Sequence, residues 1–198
     1  MTNFRPLFAS LLLIAATVTG QPAQAAEKMT VLLDWFVNPD HAPLIVAREK
    51  GYFAAAGLDV ELIAPADPND PPKLVAAGKA DIAVSYQPQL HVQVEAGLPL
   101  VRIATLVATP LNSLVVLKDG PIETIADLKG KKIGYSIGGF EDAILGKMLA
   151  KAGLSLKDVT LINVNFSLSP SIISGQVDAV IGAFRNFELN QMDIVGRP

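Results

Sequence analysis

Cysteine is absent from the whole 198-residue chain. No disulfide framework can form, and no thiolate can hold a metal. A lipid anchor added at an export cleavage site also needs a cysteine, so an exported form of this chain is expected to be freely soluble. Histidine occurs only twice, which argues further against a zinc centre. There is no run of lysine or arginine, and the isoelectric point lies near 5.3, so nucleic acid is not an expected partner. The one long apolar run, Leu7 to Val18, is too short to span a bilayer as a stable helix.

That run is better explained as a transport signal over residues 1–25. Arg5 supplies a positive start, the apolar stretch follows, and Ala23-Gln24-Ala25 forms an A-x-A cleavage site. The mature chain would begin near Ala26. Loss of Arg5, the sole charge in the segment, would take the net charge from −3 to −4. An exported and untethered protein is most useful where an outer membrane retains it, which predicts the periplasm.

What the mature sequence does contain is a weak internal repeat. Leu74-Val75-Ala76-Ala77-Gly78-Lys79-Ala80-Asp81-Ile82-Ala83-Val84-Ser85 reads as a helix end, glycine, aspartate and a short apolar strand. Ser171-Ile172-Ile173-Ser174-Gly175-Gln176-Val177-Asp178-Ala179-Val180-Ile181-Gly182 has the same grammar. Upstream of each copy, a helix ends in Ala-Gly-Leu (Ala56-Gly57-Leu58 and Ala152-Gly153-Leu154) and a strand follows. Two such units in tandem predict an α/β protein of two similar lobes with a ligand cleft between them. Lobe 1 is expected over residues 26–110 and lobe 2 over 111–198.

The apolar periodicity predicts strands at Val31–Trp35, Asp59–Ile63, Ile82–Ser85 and Val101–Val107 in lobe 1. Helices are expected at Ala42–Ala56 and Gln89–Glu95. Asp67-Pro68-Asn69-Asp70-Pro71-Pro72 is a stiff loop before another helix, with Asp70 as its N-cap and Pro71 at its first position. Thr109 to Asn112 is the expected crossover. Lobe 2 is expected to hold strands at Leu114–Leu117, Ile133–Tyr135, Val159–Asn163 and Ala179–Gly182. Its helices are expected at Phe140–Ala152, Ser169–Ser174 and from Asn186 onward. Two-lobed binding folds usually return to the first lobe, and nothing here does. The second lobe and its return segment are therefore expected to be incomplete, as in a truncated chain.

Ligands of open α/β sheets bind beyond the carboxyl ends of the strands. Four loops occupy that position, and each carries aromatic or amide groups: Asp34 to His41, Tyr86-Gln87, Ser136 to Glu141, and Ala183 to Glu188. Trp35, Tyr86 and Phe140 could sandwich a planar ring, and Asn38, Gln87, Asn186 and Glu188 could read ring nitrogens and amino groups. Each has a plainer reading as well. Trp35 could be core, His41 a polar helix terminus, and Glu188 a solvated helix residue. Gly138-Gly139 is either a turn or an anion nest, and Glu141 and Asp142 already occupy that helix start, which disfavours an anionic ligand. Asp81 and Asp178 read as structural residues that start strands.

Several of these segments resemble one known family. Asp34-Trp35, Asn38, His41, the block Val46-Ala47-Arg48-Glu49-Lys50-Gly51-Tyr52-Phe53 and Gly57-Leu58-Asp59-Val60 resemble the substrate-binding proteins of the NMT1/THI5-like group. The resemblance continues through Gly78, Asp81-Ile82, Gly138-Gly139-Phe140-Glu141 and Arg185-Asn186-Phe187-Glu188, and covers essentially all of the mature chain. The Glu-Lys-Gly-Tyr-Phe block is shared with sulfonate, taurine and nitrate binders and marks only the superfamily. The resemblance implies a type II periplasmic binding protein fold. Within the group, the chain is most similar to binding components of ABC importers for thiamine pyrimidine precursors, of the formyl-aminopyrimidine or hydroxymethylpyrimidine type.

Carried over by matching position, Trp35, Asn38, Tyr86 and Glu188 are the first site residues, with His41, Gln87 and Phe140 behind them. Gly138, Gly139, Glu141 and Asn186 complete the candidate set. The implied partners are a membrane permease and its ATPase, with the binding protein acting as a monomer and needing no cofactor. The same superfamily contains pyrimidine synthases that consume a pyridoxal cofactor and a histidine of their own chain. His41 lies in the matching motif, but those enzymes carry a cysteine-rich motif that this chain lacks. A sulfonate, taurine or nitrate binder is the nearer alternative.

Overall fold

The structure is a computed structural model that describes residues 25–198; the expected transport signal falls outside the described residues, apart from Ala25. Two sheets organise the chain. The first holds β1 (Glu27–Leu32), β2 (Leu58–Ile63) and β3 (Ile82–Ala83) in the order β2-β1-β3, all parallel. The second holds β4 (Asn112–Val116), β5 (Lys132–Tyr135), β6 (Thr160–Asn163) and β7 (Ala179–Phe184) in the order β4-β7-β5-β6. There β4 runs antiparallel to β7 and the other pairs are parallel.

Around the first sheet lie α1 (Ala42–Glu49), α2 (Tyr52–Ala55), α3 (Pro71–Ala76) and α4 (Gln87–Glu95); around the second lie α5 (Glu141–Lys151), α6 (Leu168–Ile173) and α7 (Glu188–Ile194). The α/β class and the two lobes stand as expected, and several local expectations change. The helix expected over Ala42–Ala56 is two helices, because Gly51 adopts a left-handed conformation (φ +71°) and ends the first. Asp70 sits at the cap position of α3 but makes no side-chain cap bond. Pro71 and Pro72 occupy the positions where amide donors would be, so the cap has little to accept.

The largest correction concerns Val101–Val107, which is not a strand. The segment is rich in apolar and β-branched residues, but no neighbouring strand pairs with it, and Val101 and Ile103 are 83% and 71% exposed. The first strand ends at Leu32 rather than Trp35; the chain then turns out of the sheet and carries Asp34 and Trp35 towards the other lobe. At the other end β7 runs two residues further than its repeat suggested, through Phe184.

The repeat has a structural counterpart. Asp81 accepts from the Thr30 amide at 2.7 Å while its own amide donates to the Thr30 carbonyl. Asp178 does the same with Lys132, its carboxylate accepting the amide at 2.8 Å. Each aspartate hooks the start of its strand onto the neighbouring strand of its own sheet.

The core lies mainly in the second lobe, on both faces of its sheet. One face gathers Val115, Val164, Leu168, Ile172, Val177, Val180, Ala183 and Met192, joined by Trp35 from the first lobe. The other gathers Ile122, Leu128, Ile133, Leu145, Leu149, Ala179 and Ile181. The central strand β7 is buried on both faces, which suits its unbroken apolar run. Gly182 interrupts its register: Ser113 pairs with Ala183 and Leu114 with Ile181, leaving Gly182 unpaired at φ +99°. Such a bulge re-aims the residues that follow it, here Ala183 and Phe184.

Candidate functional site

The ends of β1, β5 and β7 and the start of α4 converge where the two lobes meet. Beyond β1, Asn38 caps a short 3-10 turn (Pro39–His41): its side chain accepts from the Asp40 amide at 2.9 Å. His41 closes that turn from within, 1% exposed. Its Nδ1 accepts from the Asn38 amide at 3.3 Å, and its Nε2 lies 2.7 Å from Asp34 Oδ1. Tyr86, at the cap position of α4, donates its hydroxyl to Asp34 Oδ2 at 2.6 Å. Burial, reinforced by the Asp34 charge, pushes the Tyr86 phenol well above its usual range, so it stays a donor.

The facing wall belongs to the second lobe. Glu141, the first residue of α5, turns back to accept the amides of Ser136 at 2.8 Å and Ile137 at 3.2 Å. It fits because residue 182 is glycine; a Cβ there would collide with its carboxylate. Burial raises the Glu141 carboxyl to about 8, against the opposing pull of those two amides. Glu188, at the start of α7, accepts the Phe184 amide at 2.6 Å and is raised by burial to about 7.

Aromatic rings close the interface. Tyr86 stacks on Phe140 with centroids 5.4 Å apart at 29°, and meets Phe184 edge-on at 5.7 Å. Trp35 packs edge-on against Phe166 at 4.7 Å. Polar contacts also cross: Asn186 donates to Asp40 at 2.7 Å, Asn69 to the Ser136 carbonyl at 3.3 Å, and Arg185 to the Pro110 carbonyl. The enclosed space is about 10 Å³, lined by Trp35, Asn38, Tyr86, Glu141, Leu168, Gly182, Phe184, Phe187 and Glu188. That is room for about one water, so this is a closed arrangement. Outside it, a groove of about 440 Å³ shares Trp35 and Glu188 and is otherwise mainly apolar.

Five of the eleven residues singled out from sequence line that space: Trp35, Asn38, Tyr86, Glu141 and Glu188. Phe140 stands directly behind Tyr86. His41 is enclosed behind Asp34 rather than facing the cavity. Gln87 points away, bonded to Arg102 at 2.8 Å and near His91. Asn186 bridges to Asp40 at the lobe junction. Gly138 and Gly139 form the turn before α5, and the Ser136 and Ile137 amides at its start are taken by Glu141. Trp35 belongs to the buried cluster, as its plainer reading has it, and also lines the cavity. Sequence reasoning passed over Phe184, Phe187, Leu168 and Gly182. The signal for the first two was present, as aromatics in the loop beyond a repeat strand; the other two depend on the bulge and on how α6 packs.

The model of the NMT1/THI5 like family matches residues 38–198. The chain belongs to that family. Among curated relatives, a Haemophilus influenzae protein named for thiamine biosynthesis is 64% identical over 86% of this chain and 54% of its own length. The formylaminopyrimidine-binding protein of Halalkalibacterium halodurans is 39% identical over 92% of this chain and 56% of its own. A 4-amino-5-hydroxymethyl-2-methylpyrimidine phosphate synthase of Schizosaccharomyces pombe is 32% identical over 80% of this chain and 45% of its own. The chain thus spans about half the length of the curated relatives it matches. The alkanesulfonate-binding protein SsuA of Xanthomonas axonopodis pv. citri, solved bound to MOPS, superposes with a TM-score of 0.68 at 20% identity, covering 87% of this chain and 60% of that one. At that identity the likeness establishes the fold, the type II periplasmic binding protein fold.

Proposed function

We propose that this chain is the ligand-binding portion of a periplasmic substrate-binding component of an ABC importer, a carrier and not an enzyme, and that its ligand is a thiamine pyrimidine precursor of the formyl-aminopyrimidine or hydroxymethylpyrimidine type. Residues 1–25 would serve as its transport signal, with lobe 1 over 26–110 and lobe 2 over 111–198. The observation that carries the reading is the make-up of the cavity wall. Four aromatic rings and two buried carboxylates line it, with no lysine or arginine among them. Such a wall suits a flat ring that offers amino hydrogens, and a carboxylate facing an aminopyrimidine edge makes a charge-assisted pair. It offers a sulfonate no cationic side chain to pair with, since neither lysine nor arginine lines it. The name of the Halalkalibacterium relative supports the same ligand class.

In this reading Trp35, Tyr86 and Phe140 hold the ring, while Asn38 and Glu188 read its edge. Glu141 holds the β5–α5 turn and presents its second oxygen to the cavity. The closed space admits one water, so the lobes must part to load and close again on the ligand, and the closed form is what a permease would recognise. The synthase reading is disfavoured by His41, whose two ring nitrogens are both engaged inside the protein. Thermal unfolding with hydroxymethylpyrimidine, formyl-aminopyrimidine, thiamine and taurine tests the proposal. A rise in Tm with the pyrimidines and none with taurine is expected, because only ligands that bind the native state stabilise it. A rise with taurine alone would overturn it.

A further inference from the structure

A buried carboxylate with no ligand of its own needs an explanation, and Asp34 is one. It is 5% exposed and absent from the cavity lining, yet both of its oxygens are engaged. Removing such a group from water is costly unless donors replace the lost hydration. Here the donors come from two separate elements. His41 Nδ1 accepts the Asn38 amide, which leaves the ring proton on Nε2, directed at Asp34 Oδ1. The Tyr86 hydroxyl meets Oδ2 from 52 residues away. A continuous chain therefore runs from the capped turn at Asn38, through His41 and Asp34, to the far end of the Tyr86 ring.

We propose that Asp34 and His41 are positioning residues that act through Tyr86, fixing the angle of the one first-lobe ring that meets two rings of the second lobe. A tyrosine turns about two side-chain bonds, and its plane is undefined until something holds the para end. The hydrogen bond to Asp34 holds that end, and contacts with Phe140 and Phe184 set the plane. When the lobes part, both phenylalanine contacts are lost and the Asp34 tie alone remains. Tyr86 then waits in the orientation that a flat ligand needs. A ring inserted between Tyr86 and Phe140 needs about 3.5–4.0 Å on each side, more than the present 5.4 Å centroid separation gives. The ligand part of this inference rests on the pyrimidine reading above; the orientation part does not.

The test uses the full chain and five variants: Asp34→Asn, Tyr86→Phe, their combination, and His41→Ala with His41→Gln as its conservative counterpart. The first two preserve shape. Pyrimidine affinity is expected to fall about tenfold in Asp34→Asn and in Tyr86→Phe, the usual scale for one charge-assisted hydrogen bond. The double variant should bind no more weakly than either single one, because both break the same link. His41→Gln, which keeps a donor, should recover part of what His41→Ala loses.

A second readout needs no ligand. The chain has three tyrosines, so tyrosine labelled with ¹³C at Cζ gives an assignable signal for Tyr86, which should shift in Asp34→Asn while the signals of Tyr52 and Tyr135 stay in place. Unchanged affinity in both single variants would overturn the proposal. Additive losses would also overturn it, since Asp34 would then act on the ligand directly. If the parent chain binds no pyrimidine, the functional reading fails, and the Cζ signal still decides: a shift supports the positioning chain and an unmoved signal refutes it.

Discussion

The two lobes share one grammar and bury very different amounts of it. Leaving proline aside, 21 hydrophobic side chains are buried among the described residues; 4 (Val31, Leu32, Leu33 and Trp35) precede residue 110 and the other 17 follow it. Strand β7 is enclosed on both faces, whereas β2 alternates between half-buried and exposed along its whole length. Helices α1 and α2 contain no buried residue. Equivalent local patterns therefore do not guarantee equivalent cores. Burial depends on how many strands lie side by side for helices to cover, and the second sheet has a central pair, β7 and β5, while the first has only β1 between two edges.

The strongest way to press that contrast is pH. Glu141 and Glu188 both belong to the second lobe, and burial raises both above the usual carboxylate range, to about 8 and about 7. A carboxyl whose native value is raised keeps its proton when the unfolded chain has lost it. Its contribution is complete below about 4.5 and disappears as pH rises through 7 to 8. Stability should fall across that window, by up to about 1.4 kcal/mol per pH unit for each group. Asp67, Asp127 and Asp158 are shifted downward by hydrogen bonds and act only at the acid end, below about 4. Melting curves between pH 5 and 8 should steepen this fall in the parent and flatten it in Glu141→Gln. Equal pH dependence in the two proteins would mean that the Glu141 carboxyl is not raised.

Core truncation comes next. Leu145→Ala should cost about 2–5 kcal/mol, because the side chain is fully enclosed and leaves a cavity. Leu62→Ala, on half-buried β2, should cost about 1 kcal/mol. Urea unfolding of each variant checks this, and equal losses would break the contrast between lobes. Gly182→Ala should cost about 1–3 kcal/mol, since the backbone is left-handed there and a methyl would strike Glu141. It should also lower the native value of Glu141 by prising the carboxyl outward, visible by NMR titration.

The smallest effect sharpens the likeness rather than the difference. Asp81→Ala and Asp178→Ala each remove one acceptor from a strand-starting amide. Each should cost about 1 kcal/mol, and hydrogen exchange at Thr30 and Lys132 should rise in the matching variant alone. A loss confined to one lobe would mean that the repeated aspartates do different work.

Much of the site could be read before the fold was known, for a definite reason. A strand end is where an open sheet offers space, so the residues after each predicted strand were the right place to look, and Trp35, Asn38, Tyr86, Glu141 and Glu188 all line the cavity. What misled was treating each loop alone. Gln87 has the right residue type at the right place, but it turns towards Arg102. His41 has the right motif, but its ring is held inside the turn that Asn38 caps. Phe184 lay in the loop expected beyond the repeat strand, and the longer β7 makes it the last residue of the strand instead.

The sequence by itself determined the α/β alternation, the correspondence of Asp81 with Asp178 in the repeat, the kinship with the NMT1/THI5 like family and the acidic, aromatic character of the loops. All of these depend on local composition and on spacing along the chain. Tertiary structure alone decided that Val101–Val107 would stay outside both sheets, because a strand exists only when another lends it hydrogen-bond partners. It also decided that Gly182 would bulge, that Glu141 would turn inward, and that Asp34 would join His41 to Tyr86. Each of those outcomes depends at least in part on a group tens of positions away, β4 beside Gly182, Gly182 beside Glu141 and Tyr86 beside Asp34, and no local pattern encodes which distant group will arrive.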